Sequence, residues 1–76
     1  MYLVTVDPSL GVVAAPRAEE DRDAPTVAAL EGCGFQWHAG VQAYLLSTLE
    51  AHERRNAAVD VARMLRYGYQ HTVCMS

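Results

Sequence analysis

The chain has 76 residues, 51% of them hydrophobic and 20% charged, and a formal net charge of −3; this predicts one domain over residues 1–76 and counts against a general nucleic-acid binder. The two cysteines cannot build a disulfide framework, and unpaired thiols are typical of a reducing cytoplasm, where we expect the protein to reside. No apolar run approaches the roughly 20 residues of a membrane span, and the first residues lack the pattern of a signal peptide, so we expect no membrane association.

The first third of the chain predicts a β-hairpin and a short helix. Two β-rich runs, residues 2–6 and 12–15, flank a turn that contains Pro8 and Gly11, two residues that favour turn dihedrals. Asp23 is a suitable N-cap, which predicts a helix over residues 24–33.

The rest of the chain predicts a second hairpin, a long helix and a last strand. The hairpin covers residues 35–38 and 43–47, and its four-residue loop places Trp37 opposite Tyr44. Apolar residues at helical spacing predict a helix over residues 48–67. Residues 69–74 alternate like a closing strand.

A four-residue motif occurs twice, as residues 34–37 (GFQW) and 68–71 (GYQH). Glycine commonly ends a helix in a left-handed conformation, so each copy predicts a helix stop followed by a strand. The element order is therefore ββαββαβ, with a possible internal ββα duplication. We predict an α+β domain of two layers, in which a five-stranded mixed or antiparallel sheet carries both helices on one face.

The sequence gives little support for a catalytic or metal-binding site. Cys33, His38, His71 and Cys74 have the side chains of a Cys2His2 zinc site, but the odd spacing of the last two puts them on opposite faces of a strand. The chain has no glycine-rich phosphate loop, no nucleophile elbow and no carboxylate pair on a rigid face. We expect no catalytic residues, no metal, no cofactor and no enzymatic activity.

A basic stripe on the long helix offers a binding surface instead. At 100° per residue four side chains fall within a sector of about 80°, namely His52, Arg55, Arg63 and Arg66. Such a stripe can contact phosphates or an acidic partner, or it can be an ordinary solvated face. Four aromatic side chains would share one sheet face, which we interpret as core rather than as a platform for nucleic-acid bases: Phe35, Trp37, Tyr44 and Tyr69.

Residues 30–37 (LEGCGFQW), followed by residues 43–45 (AYL), resemble a pattern in small uncharacterised proteins of actinobacterial plasmids, integrated elements and phages. In those proteins a short helix ends in Gly-Phe-x-Trp and a hairpin returns with an aromatic residue. The resemblance implies a mobile-element setting rather than an activity, and it transfers no site residues to this chain.

These observations favour a small non-catalytic protein-interaction module that acts as a regulatory or accessory factor. A chain this short cannot bury all of its apolar surface alone, and its first hairpin is apolar on both faces, so we expect a protein partner or a homodimer. The alternative is a nucleic-acid-binding accessory protein of a mobile element that uses the basic stripe.

Overall fold

The structure is a computed structural model that describes residues 1–75. Its strands are β1 (Tyr2–Asp7), β2 (Gly11–Pro16), β3 (Gln36–His38), β4 (Ala43–Leu46) and β5 (Val73–Met75). Its helices are α1 (Ala24–Gly32) and α2 (Ala51–Arg63), with a 3-10 turn at Glu19–Asp21 and a π-helical turn at Met64–Gly68. The predicted α+β class and the ββαββαβ order are confirmed.

The five strands form one mixed sheet in the order β3-β4-β2-β1-β5. All neighbouring pairs are antiparallel except β1 and β5, which are parallel because the chain crosses over the helical layer before it returns. Trp37 lies opposite Tyr44, as the four-residue loop predicts. The two hairpins meet through their second strands, β2 and β4, which pair antiparallel.

The core lies between one face of the sheet and both helices. Alternate residues of the sheet point toward the helices, because successive side chains of a strand lie on opposite faces. The apolar spacing predicted for the long helix is confirmed in its second half, where four residues are buried. The helix-facing core includes Tyr2, Val4, Val12, Ala14, Tyr44 and Leu46 from the sheet, Leu30 from α1, and Ala58, Val61, Ala62 and Leu65 from α2 and the turn that follows it.

The first copy of the repeated motif ends helix α1 as expected. Gly34 has a φ of 98°, and its amide donates to the carbonyl of Glu31 at 3.0 Å. The amide of Phe35 donates to the carbonyl of Leu30, also at 3.0 Å. These two bonds form a Schellman motif, in which a residue without a Cβ is favoured at the left-handed position.

The second copy behaves differently, and the prediction of a left-handed Gly68 is wrong. The chain passes through a π-helical turn at Met64–Gly68, and the left-handed residue is Gln70, with a φ of 59°. The amide of His71 then donates to the carbonyl of Leu65 at 2.8 Å. The wider turn delays the last strand, so β5 begins at Val73 rather than at Tyr69.

Candidate functional site

The four residues of the predicted basic stripe are all exposed on α2 and the π-helical turn, in different surroundings. The guanidinium of Arg66 donates to the backbone carbonyl of Val73 at 2.9 Å, so it is engaged with β5. Arg55 lies at a cleft between α2 and β1, and His52 lies at another cleft beside Leu49 and along α2 itself. Arg63 stands in the last turn of α2. Binding of nucleic acid by this stripe stays a prediction.

The residues considered as zinc ligands do not come together. Cys33 and Cys74 are both exposed free thiols. Within residues 1–75 there is no group of three or more His, Cys, Asp or Glu side chains with the geometry to hold a metal ion. His71 lies instead in a largely buried polar cluster that joins the start of α1 to the sheet.

We call this group the His71 cluster, and it consists of His71, Asp21, Asp23, Thr26 and Tyr2. His71 Nε2 lies 2.9 Å from Thr26 Oγ1 and 3.1 Å from Asp23 Oδ1. Its Nδ1 lies 3.8 Å from Asp21 Oδ1, and its ring meets the Tyr2 ring edge-on at 5.0 Å. The Tyr2 hydroxyl donates to the backbone carbonyl of Asp21 at 2.7 Å. The cluster therefore ties together three distant parts of the chain.

The helix cap explains how the His71 cluster forms. Asp23 is the N-cap of α1, as predicted, and its carboxylate accepts from the Thr26 amide at 3.2 Å. The Thr26 hydroxyl donates back to the same carboxylate at 2.8 Å. Because the carboxylate is an acceptor and the hydroxyl proton is already used, we place a ring proton of His71 on Nε2.

A threonine, a histidine and an aspartate in contact can form a nucleophilic triad. The Thr26 side chain is completely buried, so no substrate reaches its hydroxyl. Every buried side-chain nitrogen and oxygen in the described part of the chain has a hydrogen-bond partner. The His71 cluster is therefore a structural network, in which polar groups taken out of water satisfy one another.

The acidic members of the His71 cluster are stabilised in their charged form. Hydrogen bonds from the Thr26 hydroxyl and amide lower the pKa of Asp23, with a smaller contribution from His71. Burial tends to raise the pKa of Asp21, but hydrogen bonds from the Met1 amine and the Ala18 amide outweigh it and lower the pKa. Burial also raises the pKa of the Tyr2 phenol well above its ordinary range.

These shifts predict acid sensitivity. A carboxyl whose pKa is lower in the folded state stabilises the fold above its unfolded pKa, and this stabilisation is lost as the pH falls through the folded value. We expect the free energy of unfolding, measured by urea denaturation, to fall below about pH 4. Asp23→Asn, which can still cap the helix, should reduce this pH dependence. An unchanged pH profile in that variant would contradict the lowered pKa of Asp23.

Arg22 connects the turn before α1 to the second hairpin. Its guanidinium lies 3.8 Å from the centroid of the Trp37 ring, and its Nε donates to the Tyr44 hydroxyl at 3.1 Å. The Trp37 and Tyr44 rings lie 4.9 Å apart. Trp37 is half-buried on the edge strand β3 under Arg22 and packs at the margin of the core, rather than fully within the core as predicted.

The sheet face opposite the helices carries a second apolar surface, which we call the open face. Its centre is formed by cross-strand neighbours, with Leu3 opposite Ala15 and Val13 opposite Leu45; Leu45 is only 8% exposed, so the accessible part is Leu3, Val13 and Ala15. Around them lie small or neutral side chains, and in the described strands the only acidic or basic side chain besides His38 is that of Asp7. The Asp7 carboxylate sits at the turn, where it accepts from two backbone amides. The open face is therefore nearly free of charge.

Comparison with known protein families, with curated proteins and with solved structures gives no match for this chain. Over residues 1–75, no helix has the length and the apolar character that crossing a membrane requires. The function must therefore be argued from the surface of the molecule itself.

Proposed function

We propose that this protein is a small non-catalytic protein-interaction module with a regulatory or accessory role, and that it acts as a homodimer joined through the open face. The observation that carries this proposal is the apolar centre of that face. Leu3, Val13 and Ala15 are half-buried within the single chain, and both helices pack on the other side of the sheet. A contiguous apolar surface of this kind typically marks a contact with another protein.

Charge favours a second copy as the occupant. The chain carries a net charge of −3, and the repulsion between two identical acidic molecules is smallest when the contact itself contains no charged groups. The open face has one acidic side chain, at its end, and none at its centre. Two such faces related by a two-fold axis are self-complementary, and stacked sheets pack about 10 Å apart with interdigitated side chains.

The size of the open face sets the expected affinity. The five strands contain 22 residues; with a rise of about 3.3 Å per residue and a strand spacing of about 4.8 Å, the face measures roughly 350 Å² in projection. This is about half the area that each partner buries in a standard interface. We therefore expect a reversible dimer whose mass depends on concentration in the micromolar range.

Size-exclusion chromatography with light scattering tests this proposal through Val13→Glu. The substitution places a charge at the centre of the open face, so we expect the wild type to approach the dimer mass as its concentration rises and the variant to stay monomeric. Val41→Glu is the matched control, because Val41 is 50% exposed in the loop between β3 and β4. It should dimerise like the wild type.

Two results would contradict the proposal. A wild-type protein that stays monomeric up to high micromolar concentration has no homodimer to explain. A Val13→Glu variant that is folded by circular dichroism and still dimeric would move the interface away from the open face, to an edge strand such as β3.

A further inference from the structure

The guanidinium of Arg22 is held in place by two neighbouring aromatic side chains. The side chain is 31% exposed, and it is fixed by the Trp37 ring beneath it and by the hydrogen bond from its Nε to Tyr44. Because Tyr44 takes the Nε proton, the N–H groups of the two terminal nitrogens remain available to other acceptors. Arg22 therefore presents preorganised donors rather than a flexible surface charge.

This guanidinium lacks a close anionic partner. Its one ion pair in the described chain is with Glu19 at 3.9 Å, and the Glu19 side chain is 89% exposed. Charge-assisted bonds between guanidinium and carboxylate are normally about 2.7–2.9 Å long. The nearby carboxylates of Asp21 and Asp23 already have other partners. Asp21 contacts the Met1 amine and the Ala18 amide, and Asp23 contacts His71 and the Thr26 amide. A partly buried guanidinium without a close carboxylate partner can bind an external anion instead.

A second arginine lies on the same cleft. The cleft has a volume of about 200 Å³, and its lining includes Arg17, Glu19, Arg22, Trp37 and Gln42. Arg17 is exposed and makes no ion pair within residues 1–75. Two arginines therefore line the same small cleft.

We propose that this cleft, the Arg22 cleft, binds the phosphoryl group of a phosphate monoester between Arg17 and Arg22. Guanidinium groups match the geometry of phosphate oxygens, and their two positive charges attract the dianion despite the one carboxylate, Glu19, in the lining. Pockets that enclose a whole organic ligand usually measure about 300–1,000 Å³, so this smaller cleft holds the phosphoryl group and leaves the rest of the ligand outside. This proposal does not rest on dimerisation.

Trp37 supplies a direct readout. It is the single tryptophan of the chain, and its ring lies against the Arg22 guanidinium. Titration with methyl phosphate at constant ionic strength should change its fluorescence in a saturable way. A few charge-assisted hydrogen bonds correspond to a dissociation constant of about 1 mM. Acetate, a monoanion with two oxygens, should bind about tenfold more weakly. No saturable change, or tighter binding of acetate, would overturn the proposal.

Variants separate a built site from general charge screening. Arg17→Gln leaves the contact of Arg22 with Trp37 in place and should weaken methyl phosphate binding about tenfold. Glu19→Gln removes the anion that competes for Arg22 and should strengthen binding. Arg63→Gln, the matched control on α2, should leave it unchanged. Equal weakening in Arg17→Gln and Arg63→Gln, or weaker binding in Glu19→Gln, would refute the proposed site.

Discussion

Replacing Gly11 by alanine is expected to destabilise the domain by about 2–5 kcal/mol, because two unfavourable effects add. Gly11 has a φ of +89°, a left-handed conformation that side chains avoid. A Cβ built on it would lie 2.3 Å from the backbone oxygen of Leu46 in β4. That oxygen belongs to the neighbouring central strand, so it cannot move away without disturbing the β2–β4 pairing.

Urea denaturation of Gly11→Ala measures this loss. A domain of this length is expected to have a free energy of unfolding of roughly 4–11 kcal/mol. The variant should therefore lose a large part of that free energy. Gly40→Ala is the control, because a Cβ there meets nothing within 4 Å and should change the free energy of unfolding by less than about 0.5 kcal/mol. Equal stability of the two variants would show that the close approach of β2 and β4 is wrong.

Thr26→Val is expected to destabilise the domain by about 1–3 kcal/mol, because it removes a buried hydroxyl and keeps the shape of the side chain. The hydroxyl bonds to the Asp23 carboxylate at 2.8 Å and to His71 Nε2 at 2.9 Å. Its loss removes both of these hydrogen bonds at the buried Thr26 position and so weakens the His71 cluster.

The control for this substitution is Thr72→Val, one residue away from His71. Thr72 is exposed, so the same change should alter the free energy of unfolding by less than about 0.5 kcal/mol. A double-mutant cycle of Thr26→Val with His71→Ala should show a coupling energy of at least about 0.5 kcal/mol, as expected for groups in one network. Strict additivity would mean that the hydroxyl and the imidazole do not interact.

Local patterns in the sequence were sufficient for most of the fold. Alternation and turn residues predict both hairpins, including the pairing of Trp37 with Tyr44. The Asp23 cap and the Gly34 stop delimit α1 because both signals act within one helical turn. The one signal of the same kind that misled is Gly68. The path of the chain into β5 there requires a π-helical turn and places the left-handed conformation at Gln70.

Contacts between distant residues were decided by the tertiary structure alone. His71 reaches Thr26 across 45 residues, and Arg22 reaches Tyr44 across 22. Neither pair has a spacing that periodicity could reveal, since both depend on how the sheet brings the elements together. Burial then gives these side chains their roles. Thr26 becomes a network member because water is excluded from it, and Arg22 becomes a fixed guanidinium because Trp37 lies beneath it. Composition and pattern determine which elements form, whereas the environment of each polar side chain is set only when those elements pack.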